Sequence, residues 1–190
     1  MREAMTTRQE LVRVISEAAV LRGEFTLRSG KTSSYYIDKY RFTTKPDVLR
    51  ALGALFADRV ALIEREAGIK VDRLVGAELG GIPLVTVASL ETGLDAVFVR
   101  NSKKGYGTAQ RVEGTLNAGD RVVFVEDIAT TGGQSVEAIG TIRDAGAEVL
   151  GVIAVIDRME GARANIEGAG VRFEALLTRD DLGDDLGSGG

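Results

Sequence analysis

Apolar positions along the chain follow two alternating spacings, and this alternation predicts an α/β protein. Apolar residues at helical intervals predict a first helix from Thr7 to about residue 21 and a long helix from Pro46 to near Gly68. Beyond it, short apolar runs at 74–77, 96–99, 122–125, 149–156 and 171–177 alternate with helical patterns at 82–91, 133–145 and 160–167. Such alternation is typical of a mostly parallel central sheet with helices on both faces, which binds ligands at the carboxyl ends of its strands.

The N-terminal part of the chain has a different pattern. Residues 24–38 predict two short strands around the turn Ser29-Gly30-Lys31. No repeat or linker is visible, so we expect one domain over residues 1–190. Within it, about 1–45 would form the first helix and a small cover, here called the hood, and about 180–190 would form a flexible acidic tail.

Composition narrows the possible chemistry. The 190 residues are 44% hydrophobic and include no cysteine and no histidine, which excludes disulfides, thiolate metal sites and the commonest general base. A formal charge of −4 disfavours a dedicated nucleic-acid binder. No run of 18 apolar residues and no apolar leader segment is present, so we expect a soluble intracellular protein without a membrane partner.

One segment carries most of the chemical information. Residues 121–137, RVVFVEDIATTGGQSVE, join a buried strand, two carboxylates, a loop of small residues and a helix. Glu126 and Asp127 would stand where the strand ends, beside backbone N–H groups of the loop and the positive end of the helix. A ligand with a phosphate and a vicinal diol, such as a ribose 5-phosphate, would satisfy both. The alternative is a solvated strand end followed by a threonine helix cap.

Two further segments fall at predicted strand ends. Gly76–Gly81 reads GAELGG, which by itself is more typical of a plain strand-to-helix turn than of a ligand-binding loop. Arg100–Arg111 reads RNSKKGYGTAQR, with four cations, no acids and two glycines. This basic loop is either an ordinary solvated hairpin or a mobile element that contacts an anion.

The segment VVFVEDIATTGG resembles the signature that binds phosphoribosyl pyrophosphate (PRPP) in type I phosphoribosyltransferases. The resemblance implies that Glu126 and Asp127 contact the ribose 2- and 3-hydroxyls while the following loop holds the 5-phosphate. The implied PRPP-binding residues of this segment are Glu126, Asp127, Ile128, Ala129, Thr130, Thr131, Gly132, Gly133 and Gln134. Gly76–Gly81 then takes the position of the pyrophosphate loop. Mg²⁺ is the expected cofactor, held mainly by substrate oxygens and water.

Further segments extend this resemblance over about residues 10 to 183. FTLRSGKTSSYYID, VRNSKKGYG and VIDRMEGA are similar to the orotate phosphoribosyltransferase family, which converts PRPP and orotate to orotidine 5-monophosphate and pyrophosphate in pyrimidine synthesis. The resemblance implies that Arg158 pairs with the orotate carboxylate, as a planar guanidinium does well. It also assigns Thr130 and Arg28 to orotate, and places Ser29, Gly30, Tyr36 and Asp38 in the hood over the base.

The basic loop Arg100–Arg111 resembles the family's flap. The resemblance implies a homodimer in which each subunit delivers its flap to the partner's active site. Arg100 and Lys104 would meet pyrophosphate and, with Asp127, form the catalytic set. Lys103 and Tyr106 complete the implied PRPP-binding residues.

Three positions depart from the family pattern. Arg28 stands where lysine is usual, Asn101 replaces a second flap lysine, and Tyr106 replaces a frequent histidine. Asn101 removes a positive charge, for which Lys103 is placed to compensate. Two other functions remain open: salvage of another nucleobase, against which Arg158 argues, and a PRPP-sensing regulator, which would need an added DNA-binding segment.

Overall fold

A computed structural model describes residues 8–26, 30, 32–101 and 111–183. Its helices are α1 (Arg8–Ala19), α2 (Tyr40–Thr43), α3 (Pro46–Ala67), α4 (Gly81–Thr92), α5 (Gly133–Asp144) and α6 (Ala162–Gly168). Its strands are β1 (Val20–Thr26), β2 (Thr32–Ile37), β3 (Arg73–Ala77), β4 (Asp95–Val99), β5 (Val112–Glu113), β6 (Arg121–Ala129), β7 (Glu148–Asp157) and β8 (Arg172–Thr178).

The central sheet has six strands in the order β5-β4-β3-β6-β7-β8. Every neighbouring pair is parallel except β4 and β5, so the predicted mostly parallel sheet is confirmed. The chain leaves β3 towards β4 on one side and leaves β6 towards β7 on the other. The crevice between the carboxyl ends of β3 and β6 is therefore the expected ligand site of an open α/β sheet.

Two apolar cores cover the two faces of the sheet. Alternate residues of β6 point to opposite faces: Val123 and Val125 join the core beneath α1, α3 and α4, whereas Phe124 joins the core beneath α5 and α6. All three side chains are fully buried. Because β6 is packed on both faces and paired on both edges, it is a rigid base for the residues that follow Val125.

The hood is a separate two-stranded antiparallel sheet of β1 and β2. Helix α1 ends at Ala19, two residues before the predicted boundary, because Val20 already pairs with Ile37. Along β2, Ser33, Tyr35 and Ile37 are buried whereas the residues between them are exposed. The hood therefore turns one face of β2 towards the domain.

The described end of the chain differs from the predicted frayed tail. Asp180–Leu182 form a turn of 3-10 helix, and Leu182 is buried. Ser16 Oγ donates to the Leu182 carbonyl oxygen at 2.7 Å, and Arg8 Nη2 lies 2.7 Å from Asp181 Oδ2. These contacts with α1 hold the turn against the domain, which a composition-based argument does not foresee. Residues 184–190 lie outside the described part.

Within the described ranges, no helix combines the length and the apolar character that crossing a membrane requires.

Candidate active site

The two carboxylates of the signature lie inside β6 and not at its end as predicted. Pairing with β3 stops at Gly76 and Val125, but pairing with β7 continues through Ala129 and Asp157. Glu126 and Asp127 therefore occupy the stretch where β6 has lost one neighbour and kept the other. This stretch faces the crevice between β3 and β6, on a backbone that the sheet still holds.

Glu126 has a buried carboxyl group that accepts two hydrogen bonds. Its Oε2 accepts a hydrogen bond from Ser135 Oγ at 2.9 Å, and its Oε1 accepts one from the Asp127 backbone N–H at 3.1 Å. Burial, followed by the charge of Asp127, raises the pKa of Glu126 to about 7. Near neutral pH this carboxyl group can therefore exist with or without its proton.

Asp127 is buried but paired. Its Oδ2 lies 2.8 Å from Lys39 Nζ, and its Oδ1 accepts the Ile128 backbone N–H at 2.6 Å. Burial by itself lowers the pKa of Lys39, but the charge and hydrogen bond of Asp127 outweigh this effect and the pKa is raised. The ammonium is therefore charged at neutral pH. An ion pair thus joins the hood to the adjacent carboxylates.

Gly80 makes this arrangement possible. A Cβ atom at position 80 would lie 1.6 Å from Asp127 Oδ2 and 3.1 Å from Lys39 Nζ. The Asp127 carboxylate thus occupies the space that any other residue at position 80 would need. The loop Gly76–Gly81 is consequently in direct contact with the Asp127 carboxylate.

The same loop is packed tightly at both ends. A Cβ atom at Gly76 would lie 2.7 Å from Val85 Cγ1, and one at Gly81 would lie 3.2 Å from the Val125 carbonyl oxygen. Glu78 donates its backbone N–H to the Val99 carbonyl oxygen at 2.9 Å, and the Glu78–Leu79 peptide bond is cis. Glycine is therefore required here for close approach of the backbone.

The loop after β6 is open to solvent. Thr131, Gly133 and Gln134 are exposed at the start of α5, whereas Ala129 and Gly132 are buried. Ile128 and Thr130 are half-buried. Gly133 and Gln134 begin the twelve-residue helix α5, and the backbone N–H groups of the first turn of a helix suit an anion.

Helix α6 holds this loop in place. Ala162 donates its backbone N–H to the Thr130 carbonyl oxygen at 3.1 Å, and Asn165 Nδ2 donates to the Thr131 carbonyl oxygen at 2.8 Å. Gly132 has φ +78°, and a Cβ atom there would lie 3.1 Å from the Ala162 Cα. A side chain at position 132 would thus be strained and crowded.

Arg158 lies one strand away from the carboxylates. Its backbone N–H donates to the Ala129 carbonyl oxygen at 2.9 Å, which fixes it beside the loop. Its Nη2 donates to Tyr35 Oη at 3.3 Å and lies 2.8 Å from Glu160 Oε1, and its guanidinium carbon lies 5.3 Å from the Tyr35 ring centre. Its Nε is buried and has no hydrogen-bond partner in the described part of the chain.

The described stem of the flap is attached to the loop Gly76–Gly81, here called the glycine loop, and to helix α5. Asn101 donates its backbone N–H to Glu78 Oε1 at 2.7 Å and its Nδ2 to the Glu78 carbonyl oxygen at 3.2 Å. Arg111 Nη1 lies 2.8 Å from Glu137 Oε1 on α5. Arg100 Nη1 lies 3.7 Å from Glu113 Oε1. Asn101 thus anchors the flap stem to the glycine loop.

Several predicted residues cannot be placed against the site. Arg28, Ser29, Lys103, Lys104 and Tyr106 lie outside the described residues. Their proposed roles therefore stay predictions.

Three predicted hood residues are described. Gly30 and Tyr36 are exposed. Asp38 Oδ1 accepts the Tyr40 backbone N–H at 3.1 Å, at the start of α2.

Sequence reasoning missed three residues that contact the site. Ser135 sits in the quoted signature segment, nine positions after Glu126, and helical spacing from the loop could have found it. Tyr35 lies in a run of polar and aromatic residues whose buried face is ambiguous without the domain. No local pattern points to Lys39, because its partner Asp127 lies 88 positions further along the chain. Strands β3, β4 and β5 come between them in the sequence.

The carboxylates also bear on metal binding. The described residues contain no group of three acidic side chains that could hold a metal ion by themselves. Glu126 and Asp127 supply hard oxygen atoms, which suit Mg²⁺, but both already accept hydrogen bonds or an ion pair. The residues thus fit a shared contact with a metal–substrate complex better than a cage made by the protein.

Comparison with known proteins defines the class of this domain. The family model described as "Phosphoribosyl transferase domain" matches residues 41–174. The orotate phosphoribosyltransferase of Haloquadratum walsbyi is 46% identical over 177 residues, which cover 93% of this chain and 92% of that protein.

Solved structures agree with this class. The Aeropyrum pernix orotate phosphoribosyltransferase has a TM-score of 0.77 and 32% identity, over 95% of this chain and 99% of that one. The Mycobacterium tuberculosis orotate phosphoribosyltransferase in complex with PRPP has a TM-score of 0.75 and 33% identity, over 92% of this chain and 98% of that one. The chain therefore belongs to the phosphoribosyltransferase family, in its orotate phosphoribosyltransferase branch.

Proposed function

We propose that this protein transfers the phosphoribosyl group of PRPP to orotate, giving orotidine 5-monophosphate and pyrophosphate. The relatives named above are orotate phosphoribosyltransferases, and one of them is a complex with PRPP. The observation that carries the choice of base is Arg158. A buried guanidinium with an unpartnered Nε, fixed beside the phosphate loop, suits a planar carboxylate, which orotate has and a neutral purine lacks.

In this proposal each segment of the crevice binds one part of PRPP. Glu126 and Asp127 accept hydrogen bonds from the ribose hydroxyls, and the backbone N–H groups of residues 129–134 bind the 5-phosphate. The loop Gly76–Gly81 binds the pyrophosphate. Thr130 lies next to the reacting carbon. Their mutual contacts support this assignment, since Gly80 touches Asp127 and Arg158 is bonded to Ala129.

The chemical step breaks the bond from ribose C1 to the pyrophosphate oxygen, which keeps the bonding electrons. A ring nitrogen of orotate bonds to C1 and loses its proton to pyrophosphate or water. Positive charge develops on the ribose ring and negative charge on pyrophosphate, so preorganised cations stabilise the transition state. Arg100 and Lys104 are the proposed flap cations. Mg²⁺ bound to PRPP would neutralise part of the pyrophosphate charge, with Glu126 and Asp127 as the nearby protein oxygens.

We further propose a homodimer in which each active site combines a crevice from one subunit with the flap Arg100–Arg111 of the other. Two features support a flap that acts outside its own core. Its described stem is an edge hairpin, since β5 is the last strand of the sheet. Its sequence carries four cations in an otherwise acidic chain.

The direct test is to follow orotate absorbance with purified protein. Orotate should be consumed only when PRPP and Mg²⁺ are both present, and orotidine 5-monophosphate and pyrophosphate should appear in equal amounts. Hypoxanthine and adenine serve as comparison substrates in the same assay. Turnover of a purine without turnover of orotate would reject this function in favour of salvage, and PRPP binding without turnover of any base would favour a regulator.

A further inference from the structure

The hood supplies a cation to the crevice that the signature does not include. Lys39 follows β2 directly, and its Nζ lies 2.8 Å from Asp127 Oδ2. The same Nζ lies 3.1 Å from the position that a Cβ atom of residue 80 would take, so it also lies against the glycine loop. Lys39 thus stands where the carboxylates and the proposed pyrophosphate loop meet.

The Lys39 ammonium group can donate hydrogen bonds in addition to its ion pair with Asp127. It carries three N–H donors, and Asp127 is its one ion-pair partner among the described residues. Its side chain keeps 32% of its exposure, compared with 6% for Asp127, so a ligand in the crevice can reach it. The Tyr40 ring, 5.5 Å from Nζ, packs beside it without consuming a donor.

The other described cations near the crevice have partners of their own. Arg158 contacts Glu160 and Tyr35, and Arg111 contacts Glu137. Asn101, on the flap stem, is neutral and is hydrogen-bonded to Glu78. Pyrophosphate leaves with several negative charges, so the site gains from a further cation placed on the hood side.

We propose that Lys39 binds the pyrophosphate group of PRPP from the hood side and stabilises it as it leaves. This role rests on the proposed function. In the free protein Asp127 holds the ammonium in position at the edge of the glycine loop. When PRPP binds, Asp127 accepts a ribose hydroxyl while a remaining N–H of Lys39 donates to a pyrophosphate oxygen. Lys39 then supplies, from within the subunit, a charge that Asn101 does not.

The experiment separates this role from a merely structural ion pair. Binding of two probes, inorganic pyrophosphate and ribose 5-phosphate, is measured by calorimetry on the full-length protein for wild type and Lys39→Met. Lys39→Met should weaken pyrophosphate binding about tenfold or more, the loss of one charge-assisted hydrogen bond, and change ribose 5-phosphate binding less than about twofold. Lys39→Arg should retain most of the pyrophosphate affinity. Lys45→Met, at an exposed lysine six positions later, is the matched control and should match wild type.

Asp127→Asn tests whether Lys39 acts through its partner. If Lys39 contacts pyrophosphate itself, adding Lys39→Met to Asp127→Asn should still weaken pyrophosphate binding by a similar factor. This double variant leaves no unpaired carboxylate, so it serves if Lys39→Met alone does not fold. An effect that disappears in the Asp127→Asn background, or equal losses for both probes, would overturn the proposal. Orotate turnover by wild type is judged separately, so failure of the Lys39 role leaves the proposed function standing.

Discussion

The two halves of the site are built in different ways. Residues 126–134 come from one continuous run of chain, and the strand, loop and helix that position them are encoded next to one another. The other half joins Arg158 from the end of β7 to Tyr35 and Lys39 from the hood, and Arg158 and Tyr35 are 123 positions apart. The first half is a local motif, whereas the second exists only after the hood has packed on the domain.

This difference suggests a division of work between the halves. Residues 126–134 would bind the ribose phosphate of PRPP, and the half with Arg158 and the hood would select the base. A ribose phosphate site made from one segment can be kept while the hood changes, because few of its contacts involve the hood. Among the described side chains, Lys39 bridges the halves through its ion pair with Asp127, whereas Tyr35 and Arg158 join the hood to the domain inside the second half. Variants at these junctions therefore test whether the halves act independently.

The largest effect is expected where the glycine loop touches the carboxylates. Gly80→Ala places a methyl group on Asp127 Oδ2, so the carboxylate and Lys39 must move. Since each displaced charge-assisted contact is worth roughly 1.5–3 kcal/mol, kcat/KM for PRPP should fall at least about a hundredfold. Steady-state kinetics at varied PRPP concentration measures this loss.

Gly140→Ala is the matched control for that variant. Position 140 lies within α5 and a Cβ atom there would contact nothing within 4 Å, so activity should be unchanged and stability slightly higher. Wild-type kinetics for Gly80→Ala would mean that the contact between the loop and Asp127 is dispensable.

The next largest effect is on the pH dependence of stability, and it involves only the half formed by residues 126–134. Because the pKa of Glu126 is raised to about 7 in the folded protein, the folded state holds a proton that the unfolded chain releases above its ordinary value of 4.5. The free energy of unfolding should therefore fall as pH rises from about 4.5 to 7. At about 1.4 kcal/mol per pKa unit, this group accounts for at most about 3.5 kcal/mol of the fall. Glu126→Gln should remove this decline, because glutamine does not titrate.

Urea unfolding at a series of pH values measures the difference between wild type and Glu126→Gln. Glu17→Gln, at an exposed carboxylate of α1, should leave the wild-type profile unchanged. Parallel profiles for wild type and Glu126→Gln would show that Glu126 is ionised in the folded protein, contrary to the raised pKa.

The same division explains what the sequence could predict. The parallel sheet and α3, from Pro46 to the Gly68 cap, follow from the spacing of apolar residues and from proline and glycine at the helix ends, which are local properties. The end of β6 was predicted too early because Glu126 and Asp127 are polar, and only pairing with β7 shows that the strand continues. Tyr35, Lys39 and the turn at Asp180–Leu182 depend on contacts between distant segments, which periodicity does not encode.

A smaller effect, on the KM for orotate, is expected in the half that contains Arg158, Tyr35 and Lys39. Arg158→Lys keeps the charge but removes the planar guanidinium and its contact with the Tyr35 ring, so the orotate KM should rise about tenfold while the PRPP KM changes little. Arg163→Lys, in which the replaced guanidinium lies over the Phe173 ring, is the control and should leave both KM values unchanged. Equal rises for orotate and PRPP would instead assign Arg158 a structural role through Glu160.

The smallest expected effect is a roughly fourfold difference in activity between mixed dimers and wild type. It tests whether the half formed by residues 126–134 is completed by the partner's flap. Lys104→Ala and Asp127→Asn homodimers should each be nearly inactive. Refolding the two together in equal amounts gives about half heterodimers by random pairing, and each has one intact composite site, so about a quarter of wild-type activity should return. If the flap serves its own subunit, every site carries one lesion and no activity returns.

The reciprocal mixture keeps this test decisive. Lys104→Ala/Asp127→Asn double-variant subunits are refolded with an equal amount of wild type, and native mass spectrometry confirms that heterodimers form. With shared sites, each heterodimer has one lesion in both of its sites, so only the wild-type homodimers act and about a quarter of the activity remains. With separate sites, the wild-type subunit of each heterodimer stays active and about half remains. A quarter in both mixtures requires a flap delivered across the dimer, because no arrangement within one subunit gives that pair of values.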